Sequence, residues 1–373
     1  MIRLDAVSKR YRDGTVAVHE LTLDIPDREI CVLVGPSGCG KTTTLKMINR
    51  LIEPTSGRIF LDGDDVTDVD PVHLRRRIGY VIQQVGLFPH QTIGANVATV
   101  PKLLGWPKDK ITARVSELLE LVGLPPSTYR DRYPAQLSGG QRQRVGVARA
   151  LAADPPVLLM DEPFAAVDPV TRALLQDEFL RLQREVGKTV VFVTHDIEEA
   201  VKMGNRIAIL DVGGVLAQYD TPAEVLARPA SDMVADFVGA DRGLKRLRVT
   251  DIDLECLEHP PTVGPDASLA DARAAMEHSG MAWVAVVDAD GTLRGSVPSD
   301  HANGDGAVRD HIERLEAWVP SSGRLQDALA MMLLTEAGWV AVLDGERFIG
   351  VLTPEAVFRS LRRSLRGGSA ADA

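Results

Sequence analysis

Residues 35–42 read Gly-Pro-Ser-Gly-Cys-Gly-Lys-Thr and follow an apolar run at 30–34. A helical pattern over residues 42–50 comes directly after them. The spacing G-x-x-x-x-G-K-[ST] lets backbone N–H groups turn inward around phosphate oxygens, and the helix N-terminus adds its positive dipole end. We expect a phosphate-binding loop here, called the phosphate loop below. Its candidate ligand residues are Gly35, Pro36, Ser37, Gly38, Cys39, Gly40, Lys41, Thr42 and Thr43.

A second motif places two carboxylates at the end of an apolar run, Val157-Leu-Leu-Met-Asp161-Glu162. Ligands of an open parallel sheet bind outside the carboxyl ends of its strands. We expect Asp161 to hold Mg²⁺, with the Thr42 hydroxyl as a second ligand. We expect Glu162 to orient or deprotonate the attacking water, because the metal takes one acid and the nucleophile needs the other.

A third motif, Leu137-Ser-Gly-Gly-Gln141, precedes a helical run. Ser138 is suited to the N-cap position, so Gly139, Gly140 and Gln141 would offer N–H groups to an anion. The chain thus has two helix N-termini suited to binding phosphate, which indicates one nucleotide held between two surfaces.

Composition excludes several classes of protein. The chain has 373 residues, with Lys+Arg 42 and Asp+Glu 52, for a formal net charge of −10. That balance is atypical of general nucleic-acid binders, which present a basic face. The three cysteines have no CxxC spacing, which predicts no disulfide framework or zinc site and fits a reducing cytosol. The apolar runs are far shorter than the ~20 residues of a membrane helix, so another subunit would supply any span.

Strand-like and helix-like runs alternate over residues 1–240, which predicts a mainly parallel sheet covered by helices. The expected strands are 30–34, 157–160 and 189–194, and the expected helices are 42–50, 108–122, 140–153 and 170–186.

The remaining third of the chain contains an internal repeat. Ser268-Leu-Ala-Asp-Ala recurs as Arg324-Leu-Gln-Asp-Ala, and Trp283-Val-Ala-Val-Val-Asp recurs as Trp339-Val-Ala-Val-Leu-Asp, both 56 residues later. Each copy reads as helix, apolar strand, turn and second strand. The two tryptophans occupy equivalent positions beside apolar strands, which favours packing over a cage for a cationic ligand.

Together these motifs resemble the ATP-binding subunit of an ABC transporter. The matching stretches are the phosphate loop, Gln83 in Gly79-Tyr-Val-Ile-Gln, residues 137–141, Asp161-Glu162, Asp168 in Ala165-Ala-Val-Asp, and His195 in Thr189-Val-Val-Phe-Val-Thr-His. The resemblance implies an α/β ABC ATPase domain over residues 1–240, with an antiparallel N-terminal part and a helical signature subdomain. It also implies two such domains head to tail, with ATP between the phosphate loop of one and Ser138 of the other.

The same resemblance implies the remaining roles. Gln83 would sense Mg²⁺ and couple to the membrane subunit, and Asp168 would link the two nucleotide sites. His195 would contact the γ-phosphate and position Glu162. Tyr11 stands where the family places an aromatic ring that stacks on adenine. Before Asp168 the family usually has Gly/Ser-Ala-Leu, and this chain has Ala165-Ala-Val, which keeps small residues there.

Residues 78–97, with two adjacent glutamines and Gly-Leu-Phe-Pro-His, resemble the osmoprotectant subfamily, whose importers carry glycine betaine, choline, carnitine or proline. That subfamily has a tandem pair of α+β CBS domains after the ATPase domain. We therefore expect a basic linker at 241–250, CBS repeats at 251–306 and 307–366, and a flexible tail at 367–373. The implied partners are a permease, an extracytoplasmic binding protein and a second copy of the chain, at the cytoplasmic face of the cell membrane.

Two alternatives to that assignment remain open. One is an ABC ATPase of another importer class, or one that acts in DNA repair or translation. The other concerns the CBS pair, which could hold cyclic di-AMP rather than only regulate or support dimerisation. The pattern Gly-apolar-apolar-Thr-x-x-Asp of adenosine-binding pairs is incomplete, because Thr353 is kept but Ala356 replaces the acid.

The last expectation concerns four arginines, Arg359, Arg362, Arg363 and Arg366, which share one helix face. They could contact anionic lipid or the acidic 251–355 segment, and salt would weaken either contact. In the plainer interpretation, Phe358, Leu361 and Leu365 close the second CBS core and the arginines face water.

Overall fold

The structure is a computed structural model that describes residues 1–82, 86–165 and 167–367. The chain divides into two compact units, Met1–Ala240 and Asp241–Ala373. No helix among the described residues is both long and apolar enough to cross a membrane.

The first unit contains two sheets and a set of covering helices. Its strands are β1 (Ile2–Arg10), β2 (Val16–Ile25), β3 (Ile30–Val34), β4 (Ser56–Leu61), β5 (Asp64–Asp65), β6 (Ile78–Val81), β7 (Val157–Asp161), β8 (Thr189–Val193), β9 (Arg206–Asp211) and β10 (Val215–Asp220). Its helices are α1 (Lys41–Ile48), α2 (Pro71–Arg76), α3 (Ile93–Val97), α4 (Thr99–Leu103), α5 (Lys108–Leu121), α6 (Pro126–Tyr129), α7 (Gly139–Leu151), α8 (Pro169–Val186), α9 (Ile197–Met203), α10 (Pro222–Ala227) and α11 (Asp232–Val238).

The larger sheet has the strand order β10-β9-β3-β8-β7-β6. All neighbours pair in parallel except β10, which runs antiparallel to β9 at the edge. β3 and β8 are buried along their whole length, as expected for parallel strands covered on both faces. This confirms the predicted mainly parallel sheet.

The register of the strands aligns the carboxyl ends of β3, β8 and β7 at one edge of this sheet. Leu33 of β3 pairs with Val193 of β8, and Val193 pairs with Asp161 of β7. The segments that follow these strands therefore leave the sheet side by side. They are the phosphate loop, the chain from Glu162 and the chain from Thr194.

The antiparallel N-terminal part is a separate sheet of order β2-β1-β4-β5. Its apolar face packs into the same core as α1 and the inner residues of β3, β7 and β8. α7 begins at Gly139 because Ser138 caps it with a reciprocal bond to Gln141. Together with α3 and α5, α7 forms the helical part that carries residues 137–141.

The second unit contains two small sheets with one topology. Its elements are α12 (Arg242–Val249), β11 (Thr262–Val263), α13 (Leu269–Ser279), β12 (Trp283–Val287), β13 (Leu293–Pro298), β14 (Trp318–Pro320), α14 (Leu325–Leu334), β15 (Val340–Asp344), β16 (Arg347–Leu352) and α15 (Pro354–Gly367). In each sheet the first two strands are parallel and the last two antiparallel. This repetition is what the 56-residue offset predicts.

The two repeats exchange the segments that precede them, which corrects the boundaries drawn from sequence. Leu247, Ile252 and Leu257 pack in the core around β15 and α14 of the second repeat. Val308 and Ile312 pack in the core around β12 and α13 of the first. Sequence similarity marks the copies, but it does not show which core the leading residues of each copy fill.

Residues 241–250 are not a linker. Residues 242–249 form α12, which belongs to the second unit because Leu247 is buried in the second core. Arg246 also donates to the Leu361 carbonyl oxygen at 2.8 Å. The sequence suggested a linker because the many basic residues of α12 made its single apolar face hard to recognise.

The equivalent tryptophans, Trp283 and Trp339, stack on each other with ring centroids 3.9 Å apart and planes 2° from parallel. Rings at that spacing leave no room for a cation between them. The prediction that they pack, rather than form a cage, is confirmed.

Replacing Leu247 by Ala should destabilise the second unit by about 2–3 kcal/mol, because a buried leucine is lost from its core. Leu247 is 6% exposed, whereas Leu244 on the same helix is 67% exposed. The matched control Leu244→Ala should change the free energy of unfolding by less than about 0.5 kcal/mol. Urea denaturation measures both, and equal effects would contradict the assignment of α12 to this core.

Candidate functional site

The phosphate loop passes so close to its neighbours that two of its positions exclude any side chain. A Cβ on Gly35 would lie 2.1 Å from the Leu210 carbonyl oxygen, and one on Gly40 would lie 2.3 Å from that of Ala17. Both glycines also have positive φ, 150° and 93°. These close approaches fix the path of the loop between β9, which contains Leu210, and β2, which contains Ala17.

Lys41 begins α1 and points back into the loop. It is 7% exposed, and its Nζ donates to the carbonyl oxygens of Gly35 at 2.8 Å and Pro36 at 2.9 Å. Its Nζ also lies 3.4 Å from Cys39 Sγ. The ammonium group is thus held at the centre of the loop, where a phosphate oxygen would meet it.

Thr42 and Asp161 meet across the gap between α1 and β7. The Thr42 hydroxyl donates to Asp161 Oδ1 at 3.1 Å. Burial raises the pKa of Asp161, and the nearby Glu162 carboxylate raises it further, while the bond from Thr42 and the charge of Lys46 lower it. A hydroxyl and a carboxylate brought together in this way suit a hard divalent cation.

Glu162 follows directly, in a backbone conformation with φ 43° that non-glycine residues seldom adopt. Its N–H donates to the Val193 carbonyl oxygen at 3.0 Å, which holds the turn against β8. Its Oε1 lies 3.2 Å from His195 Nδ1, and the two residues line a small polar cleft with Thr194. The strained turn therefore points the Glu162 carboxylate at the His195 imidazole, at the same edge of the sheet as the phosphate loop.

The other predicted ligand residues lie on different elements. Gln141 N donates to Ser138 Oγ at 3.2 Å, and Gln141 Oε1 accepts from Ser138 N at 2.9 Å. Gly139 and Gly140 form the first turn of α7. Asp168 caps α8, and the main-chain N–H of Thr171 holds the pKa of Asp168 below its usual value.

Two predicted residues need separate mention. Tyr11 is exposed just after β1, and Lys9 Nζ lies over its ring, 5.5 Å from the centroid. Gln83 lies outside the described residues.

Beyond the contacts within the phosphate loop and between Ser138 and Gln141, the structure joins predicted residues in two further contacts, Thr42 with Asp161 and Glu162 with His195. Within the described ranges, no hydrogen bond joins Ser138 or Asp168 to the phosphate loop. Sequence reasoning missed Lys46, whose charge acts on Asp161. Its position four residues after Thr42 places both on one face of α1 and was the available signal.

Comparison with known families matches both units. Residues 18–165 match the family described as ABC transporter, and residues 249–301 match the CBS domain. The second repeat lies outside that CBS match, and its sheet has the same strand order as the first.

Similar proteins match nearly the whole chain. The glycine betaine/carnitine/choline transport ATP-binding protein OpuCA of Bacillus subtilis is 46% identical, covering 95% of this chain and 94% of that protein. The choline transport ATP-binding protein OpuBA of the same organism is 44% identical, covering 98% of each. Among solved structures, a dimeric post-hydrolysis state of the ATP-binding cassette MJ0796 bound to ADP and phosphate is 36% identical, with a TM-score of 0.53. It covers 60% of this chain and 99% of its own.

Replacing Asp161 by Asn should stabilise the chain at neutral pH in the absence of nucleotide. The pKa of Asp161 is raised, which means that the folded state disfavours its carboxylate. The free energy of unfolding therefore falls as pH rises from about 3.9, the pKa of Asp in the unfolded chain, through the higher pKa of the folded state. The extra stability of Asp161→Asn over the parent chain should decrease as pH falls towards about 3.9. Thermal unfolding against pH measures it.

Asp168→Asn is the control of opposite sign, because the pKa of Asp168 is lowered and its carboxylate stabilises the folded chain above the unfolded pKa. Its melting temperature should fall at neutral pH. A fall for Asp161→Asn as well would contradict the burial argument.

Proposed function

The chain belongs to the ABC transporter family of ATP-binding subunits, and from that we propose that it powers import of a quaternary-amine osmoprotectant such as glycine betaine, choline or carnitine, or of proline. It hydrolyses ATP to ADP and phosphate. The observation that carries the proposal is similarity along both units to subunits named for glycine betaine, carnitine and choline. A site suited to phosphoryl chemistry lies in the first unit.

The residues of that site divide the work of hydrolysis. Lys41, held by the loop carbonyls, would exchange those partners for β- and γ-phosphate oxygens. Glu162 would accept a proton from the attacking water or orient it, with His195 fixing the carboxylate through Nδ1. The His195 side chain is 63% exposed, so it would be accessible to the γ-phosphate.

Thr42 and Asp161 are the residues that would hold Mg²⁺, and their oxygens fit it because they already meet at 3.1 Å. When bound, the ion neutralises charge on the phosphate oxygens. It would also favour the charged form of Asp161, whose pKa burial raises. Gln83 is the further ligand proposed from the family resemblance.

We propose that two copies of the chain enclose two ATP molecules. Ser138 is exposed at the start of α7, where the main-chain N–H groups of the first turn can face the γ-phosphate of the partner's nucleotide. Asp168 would link the two sites and Tyr11 would stack on adenine. Two solved structures of the MJ0796 cassette, 36% and 37% identical to this chain, are dimeric.

The proposed transport partners are a permease and an extracytoplasmic solute-binding protein, with this chain on the cytoplasmic face of the membrane. The binding protein would select the solute, because quaternary ammonium groups are recognised by aromatic cages. Trp283 and Trp339 form no such cage here, since they stack on each other.

We propose that the second unit is a regulatory sensor, and the contacts of α15 favour an electrostatic one. Arg359 pairs with Glu258 at 3.1 Å, and Arg363 pairs with Asp253 at 3.1 Å and with Glu255. The arginine face of α15 therefore lies against the acidic segment 253–258. The side chains of Leu365 and Arg366 lie outside the described part of the chain.

The plainer interpretation of α15 is wrong in one respect. Phe358 is 61% exposed, so it does not close the second core, whereas Leu361 packs against it. Phe358 instead lines an open cleft with three arginines and one acid, Arg359, Arg362, Arg363 and Glu355. Because this face combines an apolar side chain with basic ones, anionic lipid remains a candidate partner.

Cyclic di-AMP is the second candidate ligand of this unit. The hydroxyl of Thr353, the residue kept from the adenosine-binding pattern, donates to Glu258 Oε1 at 2.9 Å. A nucleotide that used this hydroxyl would first displace Glu258. Cyclic di-AMP at an interface between copies avoids that requirement.

Replacing Glu162 by Gln should preserve ATP binding but reduce turnover by about 10²–10⁴-fold, because the proton acceptor is lost. With MgATP the variant should sediment as a dimer, since the sandwich forms and hydrolysis does not open it. Lys41→Ala should abolish hydrolysis. Near-normal hydrolysis by Glu162→Gln would remove Glu162 from its assigned role.

Reversing the charge of all four arginines to Glu should shift the internal salt concentration at which transport is activated. Each basic residue contributes about 1 kcal/mol near an anionic surface, and the Debye length falls from about 10 Å at 0.1 M to about 3 Å at 1 M. Uptake into vesicles of varied internal salt measures the threshold.

Comparing Arg359→Glu/Arg363→Glu with Arg362→Glu separates the two electrostatic partners. All three arginines line the open cleft, but only Arg359 and Arg363 pair with segment 253–258. A shift in the first variant alone would identify the acidic segment as the partner, and an equal shift with Arg362→Glu would identify a partner at the cleft. An unchanged threshold in the fourfold variant would exclude α15 as the sensor.

A further inference from the structure

Arg149 lies in the last turns of α7 and holds the chain that leaves β6. Its NH1 donates to the Gly86 carbonyl oxygen at 2.6 Å. Arg149 is half-buried, and this burial lowers its pKa. A hydrogen bond from a partly desolvated cation fixes this main-chain oxygen more firmly than a neutral donor would.

The chain beyond Gly86 is anchored at a second point. The buried side chain of Asn96 in α3 accepts from Phe88 N at 2.7 Å and donates to the carbonyl oxygens of Phe88 at 3.1 Å and Gln91 at 3.2 Å. α3 in turn packs on α7. Residues 86–97 therefore form one block with α7.

β6 is also built directly on α7. A Cβ on Gly79 would lie 2.6 Å from the Ala150 carbonyl oxygen, so strand and helix touch through their backbones. Both β6 and the chain from Gly86 thus rest on the carboxyl half of α7. Ser138, which caps the other end of α7, lies about 16 Å from Arg149 along the helix axis.

We propose that Arg149 is a positioning residue that couples the start of α7, where nucleotide would bind, to the chain at Gly86. α7 acts as a rigid rod: when ATP draws its first turn into the sandwich, Arg149 carries Gly86 with it. This inference rests on the proposed function, from which it takes the contact of Ser138 with nucleotide.

The test is hydrogen exchange of the full chain in the Glu162→Gln background, with and without MgATP. In that parent, MgATP should slow amide exchange in residues 35–48 and in residues 86–97. Adding Arg149→Met should leave the slowing at 35–48 intact. It should reduce the slowing at 86–97 about tenfold, the factor for one charge-assisted hydrogen bond.

Two further variants distinguish positioning from simple stability. Arg149→Lys should restore part of the response, because an ammonium group can still donate to Gly86. Arg144→Met is the matched control: Arg144 lies on the same helix and donates to the Val122 carbonyl oxygen at 3.3 Å, away from Gly86. It should keep the full MgATP response.

An unchanged response at 86–97 in Arg149→Met would overturn the inference, as would an equal loss in Arg144→Met. No slowing at 35–48 in the parent would refute nucleotide binding itself, and this inference with it. The two failures are therefore distinguished by which peptide loses its response.

Discussion

The first unit depends on a close approach of backbone to backbone at Gly35 and Gly40. A Cβ at either position would come within 2.1–2.3 Å of a carbonyl oxygen of a neighbouring segment. Only with both glycines can the loop turn its N–H groups inward and start α1 where Lys41 and Thr42 project into the site. The register of β3, β8 and β7 then brings Asp161, Glu162 and His195 to the same edge.

The second unit depends on a different constraint, the exchange of leading segments between its repeats. α12 and residues 251–258 complete the second core, and residues 307–313 complete the first. Neither repeat has a full core without the chain that precedes the other, so the pair folds as one body. The acidic segment 253–258 is carried by this exchange to the arginine face of α15, which links the fold to its proposed sensing role.

Sequence predicted what is local. The strand at 30–34 and the helices that became α5, α7 and α8 follow from apolar periodicity and capping, and Ser138 was recognised as an N-cap from its motif. Contacts between distant segments were not accessible in this way. The pair Arg359–Glu258 joins residues 101 positions apart, and the bond from Arg149 to Gly86 joins residues 63 positions apart. The exchange of leading segments likewise packs each repeat against chain outside its own sequence copy. Nothing in their local pattern specifies a partner.

The most direct test of the account is ATP-driven uptake by the assembled complex. The chain would be purified from its native host with its membrane and binding subunits and placed in vesicles containing MgATP. The account predicts that labelled glycine betaine, choline, carnitine or proline accumulates, and that a complex carrying Lys41→Ala accumulates none. Hydrolysis of ATP with uptake of none of these solutes would contradict the proposed substrate class, and recovery of ribosomes or DNA in place of a permease would contradict transport itself.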